Sequence, residues 1–324
     1  MARAGVFASL ATVLVLIVIE GVLSWAWALT KAWERSAPVP PEVSHARHDP
    51  DLGWSHVPNL HIPDLYGPGR HFTSNGQGHR ASRDFAARVP AGRKRVLFIG
   101  DSFTMGVGVG DRDTFPAQVE VRDPRIQSVN MGMGAYGVDQ AYLWYERDGA
   151  DIEADAVVFS FIEHDFVRMA TDFYMAPKPR LRVEGDALSV ENRPVPERDL
   201  GRRVAKTASE FTHTLDIGKV LRRVLALLPQ PERAPSPFAG SALAEKMFAE
   251  LAERAAERGH VLVLVYLPSV EDLEQERPVR AWLREWSDET GIRLVDMTEW
   301  FRGAPSPGAL FLPDRHYSEQ GNAR

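Results

Sequence analysis

From Arg93 onward the chain alternates short apolar runs with longer segments of helical period. The run RVLFIG (95–100) is apolar almost throughout and ends in glycine, as a strand covered on both faces does. IQSVNMG (126–132), AVVFSFI (156–162), HVLVLVYLP (260–268) and IRLVDM (292–297) repeat the pattern. Between them lie predicted helices. One runs from Asp113 to Val121, with Asp113 or Thr114 as its cap, and another from Val138 to Gly149. Two more, Ala242 to Arg258 and Glu276 to Thr290, are closed by Gly259 and Gly291. This alternation predicts an α/β fold with a five-stranded, mainly parallel sheet covered on both faces. Chemistry in such sheets gathers at the carboxyl ends of the strands. An insertion, 166–238, breaks the rhythm. It holds a predicted hairpin, RLRVEGDALSVEN with Gly185-Asp186 at the turn, an amphipathic stretch, LDIGKVLRRVLALL, and a Pro-rich exit.

Ahead of this the pattern changes. From Gly5 to Leu29 a nearly continuous apolar run carries one charge, Glu20. About 20 apolar residues in a helix cross a bilayer core. Trp25 and Trp27 stand where interfacial aromatic rings collect. Residues 1–29 therefore read as a single-pass transmembrane anchor, with a signal peptide cleaved at Ala26-Trp27-Ala28 as the alternative. Arg3 on one side and Lys31 and Arg35 on the other leave the orientation open. Residues 30–50, rich in Pro and charge, read as a linker. Residues 51–92 read as an extension packed on the domain, since Trp54, Leu60 and Phe72 need burial; the domain itself is 93–324.

Composition narrows the classes. Apolar residues make up 44% and charged residues 25%, which excludes wholesale disorder. A net charge of -6 with no basic cluster argues against a nucleic-acid partner. The absence of cysteine excludes disulfides, thiolate metal sites and a cysteine nucleophile.

The loop after the first strand, GDSFTMGVGVGDRDTFP (100–116), sets Ser102 at the top of the sheet with backbone N–H groups nearby. A phosphate cradle and a structural Gly-rich turn are the rival readings. The loop lacks the Lys-Ser/Thr ending of a nucleotide P-loop, and it is not the G-x-S-x-G elbow. Near the chain's end, FLPDRHYSEQGNAR (311–324) holds Asp314 and His316 two residues apart, beyond the last strand. A serine nucleophile needs a base for its proton, and that base needs a group that fixes its tautomer.

Four segments together resemble the blocks of the SGNH (GDSL-like) hydrolases: GDSFTMGVGV, VNMGMGAYGVDQ (129–140), FIEHDF (161–166) and PDRHYSEQGN. DPDLGWSHVPN and TSNGQGHR resemble the segment preceding the domain in membrane-anchored bacterial members, which include esterases and polysaccharide O-acetyltransferase relatives. The resemblance spans about 49–324 apart from the insertion. It implies a three-layer flavodoxin-like fold and ester chemistry without metal or cofactor. Ser102 would be the nucleophile, His316 the base, Asp314 its orienting acid, and Asp101 would shape the turn. The oxyanion hole would use the N–H of Ser102, a backbone N–H at Gly134 or Ala135, and a side chain from the third block. Two positions depart from the family: Ala135 stands at the usual glycine and His164 at the usual asparagine. The expected partners are an ester-bearing substrate, such as acylated carbohydrate, and the membrane, with the domain on the extracytoplasmic side. The alternatives are a catalytically weak scaffold or glycan-binding protein on the same fold, and a flavodoxin-like cofactor binder. The resemblance implies a closing helix following Gly321-Asn322.

Overall fold

The computed structural model describes residues 7, 11–15, 45–149, 152–197 and 241–324. Most of the expected anchor (1–29), most of the linker, and the amphipathic stretch and Pro-rich exit of the insertion lie outside the described residues. Among the described residues no helix is long and apolar enough to cross a membrane. The chain divides into two units, Met1–Val39 with Arg198–Ala234, and Pro40–Glu197 with Pro235–Arg324. All elements named below belong to the second.

Its centre is a five-stranded sheet of β1 (Lys94–Gly100), β2 (Ile126–Gly132), β3 (Ala156–Phe161), β4 (Val261–Tyr266) and β5 (Leu294–Asp296). The order across the sheet is β2-β1-β3-β4-β5, with every neighbouring pair parallel. Leu97, Ile99, Val129, Met131, Val157 and Phe159 are fully buried, which explains why these runs read as continuously apolar. The strand order reverses at β1, and β1 and β2 end in register at Gly100 and Gly132. The loops leaving them therefore emerge side by side, next to the switch point between β1 and β3.

The helices follow the predicted spans closely. The labels are α1 (Ser102–Met105), α2 (Phe115–Arg122), α3 (Val138–Asp148), α4 (Glu163–Met169), α5 (Ser241–Glu257), α6 (Pro278–Thr290) and α7 (Glu319–Asn322). Thr114, not Asp113, caps α2 by accepting the Ala117 N–H. On α5 the buried residues Ala244, Met247, Phe248, Leu251 and Ala255 form one stripe against the core. β5 is shorter than its apolar run. Gly291 closes α6 in the left-handed region (φ 72°) and the Ser287 hydroxyl takes the Ile292 carbonyl, so the chain joins the sheet only at Leu294.

Two regions differ from expectation. The insertion does not leave the domain at residue 166: α4 runs through Met169, and Phe166, Met169, Lys178, Leu181 and Val195 are buried. Its hairpin forms as predicted, Arg180–Glu184 against Ala187–Glu191 around Gly185 (φ 63°). The extension forms short hairpins on the domain, and the first of them begins inside the expected linker (30–50). Ala46–Asp49 pairs with Gly53–His56, and His61–Ile62 with Phe72–Thr73. Trp54 and Phe72 are buried as their size demands, while Leu60 is half-buried.

Candidate active site

The site begins where β1 ends. A side chain at Gly100 would overlap the Thr104 hydroxyl and the Ser160 carbonyl, so the chain can turn there only as glycine. Asp101 then caps α1, its carboxylate accepting the Phe103 N–H at 2.9 Å. This matches the turn-shaping part expected of it. Gly106 (φ 86°) stops α1 after one turn and donates to the Ser102 carbonyl. Ser102 is thus the first residue of a one-turn helix, and its own N–H has no intrahelical acceptor.

The far end of the chain returns to this point. The Leu312 N–H donates to the His316 carbonyl at 2.7 Å, and Arg315 turns the chain in the left-handed region (φ 73°). Tyr317 anchors the loop: its ring stacks edge-on to Phe103 and its hydroxyl donates to the Pro268 carbonyl at 2.8 Å. The short helix α7 follows, and its Asn322 accepts the Phe115 N–H. These ties set His316 Nε2 2.9 Å from Ser102 Oγ, and His316 Nδ1 3.2 Å from Asp314 Oδ2. A proton on Nδ1 facing the carboxylate leaves Nε2 as the acceptor for the serine hydroxyl. The three side chains expected to act together form one hydrogen-bonded chain.

The loop after β2 forms the facing edge. Gly134 and Ala135 line the same cleft as Ser102. Ala135 lies in the left-handed region at φ 65°. For a non-glycine residue this costs about 1–2 kcal/mol. The Trp54 indole N–H donates to the Gly134 carbonyl at 2.9 Å, and the Tyr136 hydroxyl donates to the Trp54 carbonyl.

The third block is built differently from the expectation. His164 is exposed, its ring edge-on to Tyr174 at 5.8 Å, and it is not among the residues lining the cleft. The cause is helical phase: on α4 the exposed positions are His164 and Val167, while Asp165, Phe166, Arg168 and Met169 turn inward. Arg168 takes a place in the cleft wall instead. Its guanidinium donates to Asp165 at 2.6 Å, to the Tyr136 carbonyl at 3.0 Å and to Asp101 at 3.4 Å. Asp165 is therefore a buried structural acid, and it also accepts the Ile162 N–H. Burial, with the Asp101 carboxylate beside it, pushes its carboxyl well above the usual range against the pull of Arg168. Glu163 faces outward to Arg277 at 2.7 Å.

The cleft between these parts has a volume of about 590 Å³. One wall comes from the extension, through Leu65, Tyr66 and Arg70, with His45 from the end of the expected linker, and another from Tyr174 and Met175. From sequence the extension reads only as packing, because nothing local in it marks a residue as facing a site more than 30 positions downstream. Among the described residues no three His, Cys, Asp or Glu side chains are grouped to hold a metal ion.

With this geometry in view, solved structures provide a comparison. The fold resembles hydrolases of the G-D-S-L family. A lipolytic protein of that family from Veillonella parvula is 12% identical, over 70% of this chain and 91% of that one, with a TM-score of 0.41. A lipase/acylhydrolase from Enterococcus faecalis is 11% identical, over 71% and 89%, with a TM-score of 0.40. An acetylxylan esterase from Geobacillus stearothermophilus is 17% identical, over 72% and 91%, with a TM-score of 0.39. No protein-family model and no curated protein matches the sequence.

Proposed function

We propose that the chain is a serine-dependent ester hydrolase or acyltransferase of the SGNH (GDSL-like) type. The observation that carries this reading is the chain Ser102 Oγ–His316 Nε2–Asp314, at 2.9 and 3.2 Å, opening into a cleft at the carboxyl ends of β1 and β2. In the proposed reaction His316 takes the Ser102 proton as the hydroxyl attacks the ester carbonyl, and Asp314 holds the imidazole and stabilises its charge. The N–H groups of Ser102 and Ala135 receive the oxyanion. His316 returns the proton to the leaving alcohol, and an acyl-Ser102 intermediate remains. Water, or a sugar hydroxyl in a transferase, then releases it by the same steps reversed.

The proposed substrate is an acylated carbohydrate of the cell envelope, with the domain held at the extracytoplasmic face by the apolar segment 5–29. The aromatic residues Tyr66 and Tyr174 in the cleft wall suit a sugar ring. The test is acetate release from an O-acetylated polysaccharide by the purified chain, alongside labelling by a fluorophosphonate. Ser102→Ala should abolish both; a variant that keeps both would remove the reading. A second reading, a weak or inactive glycan-binding relative, draws on the position of His164 outside the cleft. It requires wild type and Ser102→Ala to turn over a small acetyl ester at the same background rate.

A further inference from the structure

We propose that Trp54, in the extension, is a positioning residue that holds the Ala135 N–H in place for the oxyanion. The inference rests on the acyl-Ser102 reading above. In a trans peptide the carbonyl and the N–H point in opposite directions. The Trp54 indole fixes the Gly134 carbonyl at 2.9 Å from one side, so the Ala135 N–H of the same peptide is directed to the other side, where Gly134 and Ala135 face the cleft. Two further ties hold the loop. The Tyr136 hydroxyl donates back to the Trp54 carbonyl, and the Arg168 guanidinium takes the Tyr136 carbonyl at 3.0 Å.

The left-handed backbone at Ala135 gives this tie its purpose. Glycine would adopt φ 65° freely, whereas alanine is strained there and relaxes if released. Relaxation to the extended region rotates the 134–135 peptide and turns its N–H away. A chain with alanine at this position therefore needs an external hold on the carbonyl, and a buried Trp54 (8% exposed) with its one donor on that oxygen supplies it. The extension is then part of the catalytic apparatus rather than a cover.

The test uses Trp54→Phe in the full chain, which keeps an aromatic ring and removes the N–H. The expected result is a fall in kcat of about tenfold or more on a small acetyl ester, with KM within about twofold, because only the transition-state oxyanion loses a donor. Fluorophosphonate labelling of Ser102 should slow in step, since its tetrahedral adduct uses the same hole. The deciding variant is Trp54→Phe combined with Ala135→Gly. Glycine removes the strain that drives the relaxation, so kcat and labelling should recover by about threefold or more. An unchanged kcat in Trp54→Phe, or a loss that Ala135→Gly does not restore, overturns the proposal. If Trp54→Phe does not fold, Tyr136→Phe, which cuts the tie to the Trp54 carbonyl, is judged by the same two criteria. Full activity in Ser102→Ala would instead overturn the reaction itself.

Discussion

At the residue scale, the site separates into parts the sequence displays and parts it hides. Ser102, Asp314 and His316 sit in short local signatures whose spacing is tied to the chemistry, so a linear reading finds them. Asp314 is exposed and meets His316 Nδ1 at 3.2 Å, and it also accepts the His316 backbone N–H. Asp314→Ala should therefore lower kcat by about 100-fold or more by freeing the wrong tautomer, as measured by ester turnover. An effect below about threefold would remove Asp314 from the chain of proton transfer. His164 was legible only as a position in a motif; the phase of α4 carries its ring to the outer face. His164→Asn is accordingly expected to leave kcat within about threefold. A larger gain would place an asparagine side chain in the hole after all. Arg168 and Trp54 were not legible, because their partners lie 67 and 80 residues away and only the assembled fold brings them together. Gly132 makes a related point about space. A side chain there would overlap the Met105 backbone nitrogen at the junction of β2 and α1. Gly132→Ala should destabilise the domain by about 2–3 kcal/mol or more, read as a lowered urea midpoint, because backbone cannot move aside as a side-chain tip can.

At the element scale, the buried charge pair between Lys178 and Asp139 fastens the first part of the insertion to α3. Both side chains are fully buried, 2.5 Å apart, and Lys178 also donates to the carbonyls of Thr171 and Pro179. Burial raises the Asp139 carboxyl, and the Lys178 ammonium opposes that rise. Lys178→Met would strand a buried carboxylate and should cost about 3–5 kcal/mol in urea unfolding. Lys178→Met with Asp139→Leu should recover most of that loss, since the pair's own worth is small once its desolvation is counted. A double variant no more stable than the single one would show that the pair holds the insertion by geometry rather than by charge. This junction also shows why the insertion's start was misplaced. The five strands and four long helices carry strong periodicity, and their ends mostly fall close to the predicted ones. By contrast α4 is seven residues long and caps itself through Asp165 on the Ile162 N–H, so its period is too brief to separate from a loop.

At the scale of the whole molecule, the extension and the sheet domain share one buried seam, and histidines stand in it. His56 lies at Gly132, its Nε2 3.0 Å from that carbonyl, while the His79 ring packs, tilted, against Phe85 and Trp144. Neither ring nitrogen of His79 has a hydrogen-bond partner among the described residues. Desolvation drives the His79 imidazole down to about 4, outweighing the opposite pull of Asp148 and Asp84. His56 is lowered well below its usual value by the same burial, reinforced by neighbouring His45 and Arg80. Both groups fold neutral. Above about pH 6.5 they are neutral in the unfolded chain as well, and stability does not depend on them. As pH falls below that value the unfolded chain takes up protons that the folded one refuses, so unfolding gains free energy until the folded pKa is reached. For His79 the shift from 6.5 to about 4 corresponds to about 3 kcal/mol lost across that window. Urea midpoints measured from about pH 8 down to about pH 4 should therefore hold level and then decline below about pH 6.5. His79→Leu keeps the apolar contacts with Phe85 and Trp144 and removes the titration, so its decline should be visibly shallower. An identical slope in wild type and His79→Leu would mean that acid opens the molecule elsewhere, and that the seam between extension and sheet stays closed.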